Sequence, residues 1–390
     1  LRLSALKTRQ SAKPSSVWIH AASGEYEYAK SLIRKIKTEN KNIQILVTYF
    51  SPSYSKHIHN DPLVDYSEPL PLDLPGPLRA FLEHYKPSAL IIARTDLWPG
   101  MILETSNKHI PIYLLSAKRP GKGPIYLLQH LLRTLLLKEL TGIFAIDEAH
   151  ADYFIKNFPK VKTITAGDTQ YDQVFYRLQS TSPLKPALIS ANDQKAPKTP
   201  ILCAGSTWSE DEKVLIPAAS DLIYKNQLRL MIVPHEPSPG HIKELIEQLK
   251  VHNLSFQSFS ETETWTKQVL IVDQVGLLAN LYSFCDLAFI GGSFKSKVHS
   301  VKEPLACGLL TFVGPKIQNS PEAQEFSQIK IHNWPLISVA KSEDQLRSFF
   351  SEAVKDLKVI QFKTDIIDIL KARTGATDIV YYNLKTDLAL

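Results

Sequence analysis

The stretch VWIHAASGE, residues 17–25, decides the fold. Val17, Trp18 and Ile19 follow one another with no polar alternation, which is the pattern of a strand covered on both faces. The chain then passes through small residues, and from Glu25 to Thr38 apolar side chains recur at helical spacing. A strand that breaks at Ser-Gly and runs into a helix is the opening of a βαβ unit. Ser23 is placed to cap the helix, Gly24 lets backbone approach a ligand, and Glu25 sits in the first turn. Spacing alone leaves two readings of Glu25: a complement to the helix dipole, or a general base at the mouth of a cleft.

Working outward, the same alternation repeats. Residues 43–49, 89–93, 110–115, 143–146 and 162–165 read as further strands, with helices over 77–85, 97–107, 124–140 and 148–157. Hydrophobic periodicity fades over 173–200, where Ser, Pro, Lys, Ala and Asn dominate, so this segment is the expected linker. Strands resume at 201–205, 228–233, 269–272, 287–290 and 309–313, with helices near 210–224, 241–252 and 274–284. From Ser342 onward two or three helices follow, able to pack on the second domain or return to the first. The expected architecture is α/β: two Rossmann-like, doubly wound domains, residues 1–172 and 201–390, facing a central cleft where the strand ends collect ligands.

A chain of 390 residues is long enough for two cores, and 44% hydrophobic with 22% charged residues is the composition of a globular protein. Residues 1–160 hold 21 basic and 14 acidic side chains, the remainder 24 and 25. That modest excess suits an anionic surface or substrate and not a nucleic acid, which calls for stronger basic clustering. The three cysteines, Cys203, Cys285 and Cys307, have neither CxxC nor metal spacing, so no disulfide framework or metal site is expected. No apolar run reaches the roughly 18 residues of a membrane span. The sequence starts at Leu1 without methionine, and a missing N-terminal anchor is expected.

An ordered series of motifs resembles the Kdo transferases, which move 3-deoxy-manno-octulosonic acid from CMP-Kdo onto lipid A. It comprises WIHAASGE (18–25), LPLDLP (70–75), TDLWP (95–99), GDTQYD (167–172), AGST (204–207), DLAFIGGS (286–293), HSVKEP (299–304) and FVGP (312–315). The resemblance implies a GT-B fold and an inverting, metal-independent glycosyltransferase of lipopolysaccharide biosynthesis without a cofactor. Its implied partners are CMP-Kdo and a lipid A precursor, at the cytoplasmic face of the bacterial inner membrane. Residue by residue, the catalytic base of the family matches Glu25 and its supporting acid matches Asp96. The glutamate expected to accept from ribose hydroxyls matches Glu303, beside Pro304. Ser23, Gly24 and Arg94 fall on the acceptor side. On the donor side stand Gly205, Ser206, Thr207, His235, Gly291, Gly292, Ser293, Lys297, His299 and Ser300, with backbone amides at 205–207 and 291–293 expected to cradle phosphate. Ordinary turn and cap chemistry is the competing account of those amides, with Ser209 and Glu212 as a capping box.

Departures from the family pattern bear on the same residues. Trp208 stands where the family has histidine, His235 where it has arginine, Arg94 where it has an acid, and Ser300 where it has asparagine. A histidine holds phosphate less firmly than an arginine fork, and Lys295 and Lys297 are the candidates to replace it. These changes motivate two alternatives: a diverged paralogue that binds lipid A or nucleotide without transfer, or a transferase with another donor sugar. The leucine-rich helix from Pro124 to Leu140 and the basic arm Arg2, Lys7, Arg9 and Lys13 fit peripheral attachment to an anionic membrane. Burial of that helix and a solvated arm are the alternatives.

Overall fold

Side chains along β1 (Ser16–His20) alternate between two cores. Trp18 packs on one face of its sheet with Leu46, Phe81, Leu90 and Ile92, while Val17 and Ile19 pack on the other with Ile33, Ile45, Ala89 and Ile91. Burial on both faces is why this strand and its neighbours read as continuous apolar runs. The computed structural model describes residues 16–120, 125–180, 199–262, 264–357 and 360–388. The chain divides into two compact units, Leu1–Gln173 with Arg373–Leu390, and Val174–Ala372.

The first unit is built on seven parallel strands in the order β3-β2-β1-β4-β5-β6-β7. The remaining strands are β2 (Gln44–Tyr49), β3 (Tyr66–Pro69), β4 (Pro87–Ala93), β5 (Ile112–Ala117), β6 (Gly142–Ala145) and β7 (Lys162–Thr165). Between them run α1 (Tyr26–Glu39), the short α2 (Ser55–His59), α3 (Pro75–Tyr85), α4 (Pro99–Asn107), α5 (Ile125–Lys138) and α6 (Glu148–Asn157), with α7 (Thr169–Ser180) leaving the last strand. Strand order reverses between β1 and β4, so the loops after these two strands flank the crevice where open α/β sheets bind ligands. Strand β3 is absent from the sequence reading because it is a half-buried edge strand, Tyr-Ser-Glu-Pro, with no apolar run.

The second unit repeats the plan with the order β10-β11-β9-β8-β12-β13-β16, again parallel. Its strands are β8 (Ile201–Thr207), β9 (Arg229–Pro234), β10 (Phe256–Ser258), β11 (Val269–Ile271), β12 (Leu287–Ile290), β13 (Leu310–Val313) and β16 (Ile337–Val339). A two-stranded antiparallel pair, β14 (Lys330–Ile331) and β15 (Trp334–Pro335), precedes β16. The helices are α8 (Ser209–Tyr224), α9 (Pro239–Val251), α10 (Leu278–Leu281), α11 (Lys302–Ala306), α12 (Pro321–Phe326), α13 (Glu343–Asp356) and α14 (Phe362–Lys371). Here the reversal lies between β8 and β12.

Two α/β units with parallel sheets agree with the fold expected from the sequence. The boundary of the second domain differs, because the last helix, α15 (Ala376–Leu388), belongs to the first unit and not to a domain of residues 201–390. Its docking is chemical as well as apolar: Asp172 accepts from the Gly375 and Thr377 amides at 2.6 and 2.7 Å, capping the helix start. Val380, Tyr381 and Leu384 join the core beside α1. The expected linker at 173–200 begins inside α7, and 181–198 lie outside the described residues, as do Arg2, Lys7, Arg9 and Lys13. In α5, Leu136 and Leu137 are buried in the core while Leu132 and Leu135 are exposed, so burial accounts for part of the leucine run.

Candidate active site

The turn after β1 and the loop after β4 meet through one hydrogen-bonded chain. His20, the last residue of β1, is fully buried; its Nδ1 lies 2.9 Å from Thr48 Oγ1 and its Nε2 2.8 Å from Asp96 Oδ2. Trp18 Nε1 donates to the same Thr48 hydroxyl at 2.8 Å, and Trp98 Nε1 donates to Asp96 Oδ2 at 2.9 Å. An indole can only donate, so the arrangement in which Trp18 donates to Thr48, Thr48 to His20 and His20 to Asp96 satisfies every member with a neutral ring. Burial alone would raise the Asp96 carboxyl, but the hydrogen bonds from His20 and Trp98 outweigh it and hold the group below its ordinary value. Asp96 is therefore an anchored carboxylate: Oδ2 is taken, and Oδ1 makes no hydrogen bond to a described residue.

Glu25 is built in a similar way. Its Oε2 accepts from the Ser23 amide at 3.0 Å, while the Ser23 hydroxyl accepts from the Gly24 amide at 2.5 Å. The residue at the cap position of α1 is Glu25 itself, not Ser23, because the backbone turns over 23–25 before the helix starts. The carboxylate thus folds back on its own turn, with Oε1 making no hydrogen bond to a described residue. Each of the two acids has one oxygen fixed and one left over, and they sit on the loops that follow the adjacent strands β1 and β4. Arg94, just after β4, takes a left-handed backbone with φ 70° and lays its guanidinium over Tyr28 at 4.4 Å.

The other matched motifs of this unit have structural work. Asp73 of LPLDLP accepts from the Gly100 and Met101 amides at 2.9 and 2.8 Å, capping α4 directly after Trp98-Pro99. In GDTQYD, Thr169 Oγ1 donates to the Tyr28 carbonyl at 2.6 Å and meets Ser116 Oγ at 2.9 Å, so this motif fixes the first turn of α1.

In the second unit the end of β8 and the loop after β12 come into backbone contact. A Cβ on Gly291 would stand 2.2 Å from the Ser206 carbonyl oxygen, and one on Gly205 would stand 2.1 Å from the Tyr282 hydroxyl, so both glycines permit a close approach. Ser206 is left-handed, with φ 54°. The amide cradle expected at 291–293 is largely occupied. The Gly291 amide donates to the Gly205 carbonyl, and the Gly292 amide donates at 2.7 Å to Asp211, a fully buried carboxylate that also takes the Phe294 and Trp208 amides at 3.0 Å. Burial raises the Asp211 carboxyl against these bonds. Ser293 is buried too, donating to the Ile290 carbonyl and accepting from the Gly314 amide.

Asp211, not Ser209 with Glu212, makes the cap contact of α8. Glu212 instead turns inward, fully buried, to accept from Thr207 Oγ1 at 2.7 Å and to meet His241 Nε2 at 3.0 Å. Two of the departures, Trp208 and His235, form a stack with His299: ring centroids lie 4.9 Å apart for Trp208 and His235, and 4.3 Å for His235 and His299. Trp208 Nε1 donates to His299 Nε2 at 3.3 Å, and Lys295 Nζ lies 3.3 Å above the indole. Burial, then the nearby His235 and Lys297, pushes the His299 ring down to about 4, which keeps it a neutral acceptor. Burial lowers His235 as well. Lys297 is exposed, and the Ser300 hydroxyl donates to Glu303 Oε2.

A cavity of about 600 Å³ beside β16, lined by Trp334, Phe349, Glu352 and Asp356 among others, contains none of these residues. Sequence reading missed His20, Thr48, Asp73 and Asp211. Among the described residues no three His, Cys, Asp or Glu side chains are grouped to hold a metal ion.

Residues 2–173 match the family model of 3-deoxy-D-manno-octulosonic-acid transferase (kdotransferase). The chain is 28% identical over 325 residues to the 3-deoxy-D-manno-octulosonic acid transferase of Haemophilus influenzae, covering 79% of this chain and 73% of that protein. It is 26% identical over 316 residues to the enzyme of the same name from Aquifex aeolicus, covering 80% and 79%. Among solved structures, UDP-GlcNAc 2-epimerase from Methanocaldococcus jannaschii is similar with a TM-score of 0.59 at 14% identity, over 89% of this chain and 93% of that one, a likeness of fold alone.

Proposed function

We propose that the chain is a member of the 3-deoxy-D-manno-octulosonic acid transferase family and that it transfers Kdo from CMP-Kdo to a lipid A precursor in lipopolysaccharide biosynthesis. The observation that carries the reading is the pair of half-anchored carboxylates, Glu25 and Asp96, at the strand reversal of the first unit. Glu25 Oε1 takes the proton of an acceptor hydroxyl. The oxygen so activated forms a bond to the anomeric carbon of Kdo, and the bond from that carbon to the phosphate of CMP breaks, CMP leaving with the electron pair. A single displacement inverts the anomeric centre. Asp96, fixed by His20 and Trp98, orients the acceptor through Oδ1, so the gain is positional. The reading uses no metal or cofactor.

On the donor side Glu303 accepts ribose hydroxyls. The Ser300 hydroxyl donating to its Oε2 stands in for such a group and supports the assignment. With Gly292 committed to Asp211, phosphate contacts fall to the end of β8 at 205–207 and to Lys297. That commitment also favours a second reading, a paralogue that binds the acceptor without transfer. Attachment to the membrane is proposed to be peripheral, at the cytoplasmic face of the inner membrane: Phe50, Leu72, Leu74 and Leu103 are exposed, and Phe50 lies against Trp98 with ring centroids 5.0 Å apart.

The test is Glu25→Gln with CMP-Kdo and a lipid A precursor, read by mass spectrometry, together with calorimetric titration of CMP. Transfer is expected to fall by a factor of roughly 10² to 10⁴ with CMP affinity unchanged. Transfer near the wild-type rate removes Glu25 as the base, and wild-type protein that neither binds CMP nor forms product supports the second reading.

A further inference from the structure

Arg94 follows β4 in a left-handed conformation, φ 70°, that L residues rarely adopt, at the reversal point of the sheet. Its guanidinium carbon lies 4.4 Å from the centroid of the Tyr28 ring. Its Nη1 is buried and has no hydrogen-bond partner among the described residues. The acids of the loops after β1 and β4 have other partners: Glu25 accepts from the Ser23 amide, and Asp96 meets His20 and Trp98. The stacking surface is itself fixed, since the Tyr28 carbonyl is held by Thr169.

A guanidinium is always charged and carries its donors in a flat fork that fits a carboxylate or phosphate. Burying one of those donors without a partner is unusual in a folded protein, and a ligand oxyanion is the partner that would satisfy both the charge and the geometry. We propose that Arg94 is the anion-recognising residue of the acceptor site, taking a phosphate or carboxylate that the acceptor carries near its reacting hydroxyl. The substitution of a cation for the acid usual in this motif is then a specificity change. The proposal rests on the transfer reading only for the word acceptor, since anion binding is measured without donor or transfer.

The experiment titrates methyl phosphate and acetate calorimetrically into the full chain with CMP present to fill the nucleotide site, comparing wild type, Arg94→Lys and Arg94→Gln. Thermal unfolding confirms that each variant is folded. One of the two anions is expected to bind wild type, about tenfold more weakly to Arg94→Gln and in between to Arg94→Lys, which keeps charge but loses the fork. The anion that shows this pattern identifies the group. In transfer assays the acceptor KM rises by about tenfold in Arg94→Gln while the donor KM stays within about twofold. Neither anion distinguishing wild type from Arg94→Gln, or an unmoved acceptor KM, overturns the assignment. Loss of transfer in Glu25→Gln bears on the transferase reading alone and leaves the anion titration standing.

Discussion

Replacing Asp96 with alanine removes the acceptor of two N–H groups, and the structure sets the size of the loss. His20 is fully buried, so its Nε2–H has no water to turn to, and an unsatisfied buried donor of this kind costs about 1–3 kcal/mol. The Trp98 indole is half-buried and recovers a water, adding at most about 0.5–1 kcal/mol. The sum is about 1–4 kcal/mol, which for a unit of this size lowers Tm by roughly 2–16 °C. The pH dependence has a definite sign. Asp96 is held below its ordinary value of 3.8 in the folded state, so its stabilisation is present above that value and disappears as pH falls through the lower folded one. Scanning calorimetry of wild type and Asp96→Ala should therefore show a constant gap from pH 7 to about 5 that narrows below about 4. A variant that melts within about 1 °C of wild type at pH 7 would mean that the chain from Trp18 to Asp96 contributes nothing, and with it the account of how Asp96 is positioned.

Three further outcomes follow from the same geometry. Asp211→Ala leaves the Gly292, Phe294 and Trp208 amides without their acceptor, and is expected to cost about 3 kcal/mol or more by urea denaturation, with hydrogen exchange at 291–294 accelerating. His299 has a folded value of about 4, well under its ordinary 6.5, so the stabilisation from its neutral ring is present above 6.5 and is lost as pH falls towards 4. The Tm of His299→Leu should accordingly vary less between pH 7 and pH 4.5 than that of wild type. Asp172→Ala uncaps α15 at two amides and should cost about 1–2 kcal/mol, read as faster amide exchange over 376–388 while the β4 amides stay protected.

What the sequence made legible is the part of the fold that rests on local pattern. Strands buried on both faces announce themselves as Val17-Trp18-Ile19 does, and turns announce themselves by Ser-Gly; the inner strands of both sheets follow from these signals, while the short edge strands β3, β10 and β16 do not. Glu25 and Asp96 are candidates through motif resemblance alone, because a carboxylate after a strand has several ordinary explanations. His20 went unnoticed for a physical reason. Its partners stand 28 and 76 residues away, and only the register that sets His20 beside Thr48 on β2 and Ile92 on β4 brings them to the ring.

Asp211 was hidden differently. An acid in the first turn of α8 already has a sufficient local explanation in the helix dipole, so nothing in the sequence asks for the amides 81 and 83 residues further on. The same logic explains why the phosphate cradle was placed too freely. Glycines after a strand mark a close backbone approach, but not whether the approaching group is a ligand or the chain itself. At Gly291 it is the Ser206 carbonyl, and at Gly292 the amide already meets a carboxylate of the protein. Left-handed residues that are not glycine carry the opposite information. Arg94 and Ser206 hold such conformations at the two strand reversals, where a glycine would be easier to accommodate. A side chain kept there despite the strain is the stronger pointer to a role, and for Arg94 the unpartnered Nη1 indicates its chemistry.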